Sequence, residues 1–83
     1  MFKVYILYSE TYNKIYIGFT SNLEERLLAH NQLATKGWTI KFRPWILLYT
    51  EDFETKADAM LREKQLKSAR GREWIWDEIV KKR

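Results

Sequence analysis

Tyrosine, arginine, histidine and glutamate side chains have the chemistry to act on a charged substrate, and the candidates in this sequence include Tyr5, Tyr16, Arg26, His30 and Glu63. Arginine presents a planar fork of donors that matches phosphate and carboxylate oxygens. A phenol with an ordinary pKa of about 10 is a poor base unless nearby positive charge favours its phenolate. The chain has one His and no Cys, so any metal ion must be a hard cation held by oxygen.

The two tyrosines fall in two consecutive predicted strands, Lys3 to Ser9 and Ile15 to Phe19, each with alternating faces. Strands this close in sequence are expected to form an antiparallel hairpin. If its loop is centred on residues 11–12, Tyr5 and Tyr16 lie on one face as near-diagonal neighbours. A slip of one residue would separate them.

Arg26 and His30 lie on the first predicted helix, one turn apart on the same face. Ser21 and Asn22 offer an N-cap for this helix, which fades between Asn31 and Gly37. The predicted apolar stripe consists of Leu23, Leu27 and Leu28.

The rest of the chain predicts one more strand and two more helices. Trp45 to Thr50 is apolar on both faces, which favours a central strand. Thr55 caps a helix that runs to about Ser68, Gly71 breaks the chain, and a last helix follows. One side of the second helix carries Ala57, Met60, Leu61 and Gln65. The last helix spans Arg72 to Lys81 and carries Trp74, Ile75, Ile79 and Val80.

This β-β-α-β-α-α order predicts a single α+β domain over residues 1–83, with helices packed on a small three-stranded mixed sheet.

A known family carries the same ordered set of residues. The hairpin bears Lys3-Val4-Tyr5 and Tyr16-Ile17-Gly18, with ten residues between the tyrosines; Arg26, His30 and Glu63 follow. This pattern resembles the GIY-YIG nuclease superfamily along essentially the whole chain. It is most similar to small stand-alone bacterial members, which are like the N-terminal catalytic domain of the excision-repair incision subunit. The first half-motif departs from the family, since Lys and Val replace Gly and Ile.

The resemblance implies metal-assisted hydrolysis of a phosphodiester. Glu63 would ligate a single Mg²⁺ or Mn²⁺ ion, and Arg26 would bind the non-bridging oxygens. Tyr5, assisted by Tyr16, would orient or deprotonate the attacking water. His30 would transfer a proton or bind phosphate, and Gly18 would permit close approach of backbone or substrate.

Each of these residues also has a purely structural interpretation. The tyrosines could be ordinary strand aromatics, and Arg26 could be a solvated helix residue. Glu63 could pair with Lys67 at i,i+4, and His30 could cap the end of its helix.

The basic and aromatic side chains of the C-terminal quarter are further candidates. The net charge of +4 arises entirely in residues 62–83, with eight basic against four acidic side chains, which suits a polyanionic partner. Trp74 and Trp76 could stack on bases or fill the core. The predicted substrate-binding side chains, for which a solvated face is the alternative, are Lys64, Lys67, Arg70 and Arg72.

Three functional hypotheses result. The first is a metal-dependent endonuclease acting on DNA, directed by structure or damage, with a protein partner supplying further specificity. The second is a catalytically silent nucleic-acid-binding module, because the late Asn of many family members is missing after Asn31. The third is a protein-interaction domain. The absence of a signal sequence or a long apolar run predicts a soluble cytoplasmic protein without a membrane partner.

Overall fold

The structure, a computed structural model, describes residues 1–83 and contains one sheet. Its strands are β1 (Phe2–Ser9), β2 (Lys14–Thr20) and β3 (Ile46–Phe53), in the spatial order β2-β1-β3. Both strand pairs are antiparallel, so the sheet is antiparallel throughout and not mixed. The prediction of a central third strand was also wrong. β1 takes the centre because both its faces are buried, whereas β3 leaves Ile46 and Leu47 partly exposed at an edge.

The register of the β1–β2 hairpin is the predicted one. Tyr5 lies opposite Gly18, and Leu7 lies opposite Tyr16. The two tyrosines are therefore diagonal neighbours on one face, with ring centroids 6.2 Å apart. Asn13 supplies the left-handed turn residue, at φ 52°.

Six helical segments cover the sheet and connect its strands. They are α1 (Leu23–Leu28), continued by a π-helical turn (Ala29–Leu33); a 3₁₀ turn (Trp38–Phe42); α2 (Lys56–Lys67); and α3 (Ala69–Trp74), continued by a π-helical turn (Ile75–Val80). The α+β class and the order β-β-α-β-α-α are as predicted. No helix is long and apolar enough to cross a membrane.

Alternation along β1 divides the interior into two clusters on opposite faces of the sheet. The larger cluster receives α2 and the π-helical turn after α3. It contains Val4, Ile6, Tyr8, Ile15, Ile17, Ala59, Leu66, Ile75 and Val80. The smaller consists of Tyr5, Leu7 and Trp45, with Tyr16, Leu23, Leu27 and Phe42 packed against it. The predicted stripe of α1 is correct at two of its three positions, because Leu28 is 42% exposed.

The predicted apolar face of α2 was wrong. Ala59 and Leu66, seven residues apart, are the side chains it buries, whereas Met60 and Leu61 are 49% and 58% exposed. Apolar residues occupy two opposite sides of this helix, and the helical repeat of 3.6 residues does not indicate which side packs against the sheet. Of the two tryptophans near the C-terminus, Trp76 packs against the larger cluster and Trp74 is partly exposed.

α2 ends at Lys67, close to the predicted Ser68, but the next helix begins at Ala69 and not at Arg72. Ser68 ends α2 in an extended conformation and caps α3 by accepting from the Gly71 N–H. Gly71 lies inside α3. A Cβ there would lie 2.3 Å from the Gln65 carbonyl oxygen and 2.6 Å from the Leu66 Cα. The glycine thus permits the close contact between consecutive helices that makes this corner.

The connection between α1 and β3 is held by side-chain hydrogen bonds to backbone. Arg43 donates to the carbonyls of Ala29, His30 and Ala34. Asn31 pairs with both backbone groups of Trp45. These contacts fix the turn that carries Trp38 on its outer side.

Candidate active site

One cavity of about 520 Å³ brings together most of the predicted site residues. Its walls come from β1, β2, α1 and α2, and they include Tyr5, Tyr16, Gly18, Arg26 and Glu63. Because β2 is an edge strand, side chains from helices on opposite faces of the sheet can meet beside it. The remaining lining residues are Phe2, Phe19, Thr20, Ser21 and Lys56.

Gly18 creates the space in which the Tyr5 ring lies. A Cβ at Gly18 would approach the Tyr5 hydroxyl oxygen to 2.6 Å and the ring carbon beside it to 2.7 Å. Any larger residue at this position would therefore displace the hydroxyl. The close approach predicted at Gly18 is therefore made by the side chain of Tyr5.

His30 lies behind Tyr5 and does not line the cavity. Its Nε2 is 2.9 Å from the Tyr5 hydroxyl, and its Nδ1 is 3.1 Å from Oγ1 of Thr39. The neutral ring with its proton on Nδ1 satisfies both contacts, donating to Thr39 and accepting from Tyr5. His30 can therefore act through Tyr5, but it is not placed to bind a phosphate in the cavity.

Burial determines the protonation states of Tyr5 and His30. It raises the pKa of Tyr5 above that of a free tyrosine; the charges of Tyr16 and Glu63 add to the shift, and the opposing charge of Arg26 does not cancel it. Burial also lowers the pKa of His30, together with the charges of Arg26 and Arg43. At neutral pH the pair is therefore a phenol hydrogen-bonded to a neutral imidazole.

Glu63 both lines the cavity and forms the ion pair that its sequence position predicts. Its carboxylate is 3.3 Å from the Lys67 ammonium, and its side chain is 19% exposed. The lysine side chain is 46% exposed, and an i,i+4 pair of this kind stabilises the fold by about 0.3–0.5 kcal/mol. A cation entering the cavity can therefore displace the lysine at little cost.

The donors around the cavity fit a hard divalent ion that keeps much of its water. Glu63 is its one carboxylate, and the other oxygens come from Tyr5, Tyr16, Thr20 and Ser21. No group of three or more His, Cys, Asp or Glu side chains is placed to hold a metal. A fully protein-ligated ion does not fit, whereas Mg²⁺ or Mn²⁺ completed by water and phosphate oxygens does.

The predicted basic residues divide into two sets. Lys67 and Arg72 line a second cavity, which shares Tyr16 with the first. Lys64 and Arg70 line neither cavity, and Arg70 borders a separate surface depression with Trp74.

Sequence reasoning missed Lys56, Thr20 and Ser21. Lys56 lies seven residues before Glu63 on α2, which places both side chains on one helical face. That spacing could have identified the lysine. Thr20 and Ser21 carried no comparable signal beyond their position at the end of β2.

Comparison with known proteins agrees with this geometry. Residues 1–75 match the family described as the GIY-YIG catalytic domain. A UPF0213 protein of Staphylococcus haemolyticus is 39% identical over 56 residues, which is 68% of each chain. A UPF0213 protein of Clostridium perfringens is 41% identical over 64 residues, 77% of this chain and 68% of that protein.

A solved structure supports the same assignment. The solution NMR structure of the UPF0213 protein BH0048 from Bacillus halodurans has a TM-score of 0.55 and 28% identity, covering 93% of this chain and 84% of that one. The matched segment is a smaller share of some relatives, 56% for a UPF0213 protein of Bacillus velezensis.

The fold and the cavity thus define a small α+β domain with a polar site at the edge of its sheet. The chain belongs to the GIY-YIG family. Membership implies a nuclease fold and nucleic-acid binding, and the family generally uses divalent metal ions.

Proposed function

We propose that this chain is a metal-dependent endonuclease that hydrolyses phosphodiester bonds in DNA, directed by the structure of the DNA or by damage. One observation carries the proposal: Tyr5, Tyr16, Arg26 and Glu63, which lie far apart in sequence, line a single open cavity. Phosphodiester hydrolysis needs an oriented water, neutralised phosphate oxygens and a stabilised leaving oxygen. These side chains supply the matching groups.

Arg26 and Lys56 bind the phosphate in this proposal. The guanidinium fork of Arg26 contacts two non-bridging oxygens, and Lys56 adds a point charge from the first turn of α2. Glu63 would hold the divalent ion, which when bound would neutralise phosphate charge and lower the pKa of water. Tyr16 borders the attacking water and fixes its position relative to Tyr5.

Tyr5 and His30 move the proton together. Because burial keeps Tyr5 protonated, a free phenolate does not serve as the base. Instead, the water proton passes to the Tyr5 oxygen while the Tyr5 proton passes to Nε2 of His30. The new bond from water oxygen to phosphorus forms as the bond to the leaving oxygen breaks, and solvent protonates the leaving oxygen. Tyr5 ends the step unchanged as a phenol, and His30, now an imidazolium, releases its extra proton to solvent before the next turnover.

Glu63→Gln tests the proposal directly. Cleavage of labelled duplex, single-stranded and branched DNA is measured with Mg²⁺ or Mn²⁺, and with EDTA. We expect metal-dependent cleavage by the wild type and a loss of at least about a hundredfold in Glu63→Gln and in Arg26→Ala. Glu78→Gln is the matched control, because Glu78 pairs with Lys82 at the same i,i+4 spacing but does not line the cavity.

The outcome also separates the alternatives. DNA binding without cleavage of any substrate would replace the nuclease with a silent nucleic-acid-binding module. No binding to DNA at low salt would favour a protein-interaction domain. Equal losses in Glu63→Gln and Glu78→Gln would show that Glu63 has no special role.

A further inference from the structure

The second cavity adjoins the first and shares one wall with it. Its volume is about 380 Å³, and its lining consists of Ile15, Tyr16, Ile17, Trp38, Lys67 and Arg72. Small-molecule sites in proteins begin at about 300 Å³. One exposed aromatic ring and two cations fit a nucleoside phosphate, because the ring can stack on the base and the cations can bind the phosphate.

Trp38 forms a firm aromatic platform on this cavity. Its side chain is 47% exposed, yet its ring packs on Phe42 and Trp45 with centroids 4.6 Å and 5.8 Å away. Trp45 is in turn anchored, because its indole N–H donates to the Thr39 carbonyl. An exposed ring supported from behind can take a planar ligand without reorganising.

Lys67 and Arg72 place positive charge on the same cavity. Arg72 is oriented by its own hydrogen bond, since its Nε donates to the Lys67 carbonyl and leaves the rest of the guanidinium fork available. The Lys67 ammonium lies between the two cavities, 3.3 Å from Glu63 of the first.

We propose that the second cavity binds the nucleotide next to the cleaved bond, with its base on Trp38 and its phosphate on Lys67 and Arg72. A paired base is covered by its neighbours in the duplex, so the base that enters must be unpaired. The preferred substrate is therefore DNA with an unpaired nucleotide beside the cleaved phosphodiester. This inference rests on the proposed nuclease function, since it places the subsite relative to the Tyr16 wall of the active site.

The test uses the full chain in EDTA, so that binding is measured without cleavage. Three labelled duplexes are compared by fluorescence anisotropy: one with a single unpaired thymidine, one with an abasic residue at that position, and one fully paired. Stacking of one base is expected to favour the first duplex over the abasic one by roughly tenfold. Trp38→Ala should remove this preference, and Trp38→Phe should retain part of it.

Two control variants separate the subsite from general effects. Trp74→Ala removes another partly exposed tryptophan that lines neither cavity, and it should keep the preference. Lys67→Ala should weaken binding of all three duplexes more than Lys82→Ala, which removes the lysine of a matched ion pair. Circular dichroism and thermal melting verify that each variant is folded.

The subsite and the nuclease can fail independently. If folded Trp38→Ala discriminates between the thymidine and abasic duplexes as the wild type does, or if the wild type does not discriminate, the subsite is overturned even when Mg²⁺ supports cleavage. If the wild type discriminates and the preference depends on Trp38, the subsite stands even when no cleavage occurs. Only the proposed nuclease would then be lost.

Discussion

The hydroxyl of Tyr5 is hydrogen-bonded to His30, which its spacing in the sequence predicts on the same helical face as Arg26. Arg26 and His30 are one turn apart, and on an isolated helix they would share a face. In the fold, Arg26 lines the cavity while His30 is buried behind the Tyr5 ring. The pairing of Tyr5 with Tyr16 was predictable because strand alternation and a hairpin loop centred on residues 11–12 together fix it. The position of His30 was not, because it depends on how α1 packs against the sheet.

Protonation of His30 should destabilise the fold. The pKa of His30 is lowered in the folded protein, so between the folded value and about 6.5 the unfolded chain binds more protons. The stability that the neutral ring contributes is complete above about pH 6.5 and is lost as pH falls toward the folded pKa. We expect the free energy of unfolding, measured with urea from pH 5 to 8, to fall on the acid side of this range.

His30→Gln provides the control for this titration. His30 is the only histidine of the chain, so the variant should lose most of the pH dependence between 5 and 7. Parallel curves for wild type and variant would show that another group causes the effect.

The corners between elements were harder to predict than the elements themselves. The first two strands follow from alternation and the third from its continuous apolar run. The helix starts at Asn22 and Thr55 follow from capping. The face of α2 could not be predicted, since its apolar residues lie on two opposite sides. The helix break was assigned to Gly71 because glycine disfavours helix interiors, but here glycine is needed for close packing inside α3.

Gly71→Ala should test that corner. The added methyl would lie closer to the backbone of Gln65 and Leu66 than van der Waals contact allows, so α3 must shift. We expect a loss of about 1–3 kcal/mol or more in the free energy of unfolding, measured with urea. Arg70→Ala, on the exposed surface of the same helix, should change stability by less than about 0.5 kcal/mol. A stabilised Gly71→Ala variant, as expected for a glycine replaced in an unconstrained helix, would contradict the packing explanation.

The whole molecule presents less free positive charge than its sequence suggests. The net charge of +4 comes from residues 62–83, but Lys67, Lys81 and Lys82 each pair with an acidic side chain one turn away. Of these three lysines, Lys67 lines a cavity. The cations that line the two cavities come from both halves of the chain instead: Arg26, Lys56, Lys67 and Arg72. Sequence composition located the excess charge, and only the fold shows which charges face a common surface.

Binding to DNA should therefore depend on salt through these four side chains. Each phosphate neutralised contributes about −0.7 to −0.9 to the slope of log K against log salt, so four contacts predict a slope of roughly −3. The slope is measured by anisotropy in EDTA between about 50 and 200 mM salt. Lys67→Met with Arg72→Met should make it shallower by roughly 1.5, because two of the four contacts are removed. Lys81→Met with Lys82→Met removes the same charge from the paired residues and should leave the slope almost unchanged. A larger effect from the second pair would mean that DNA binds the C-terminal turn rather than the cavities.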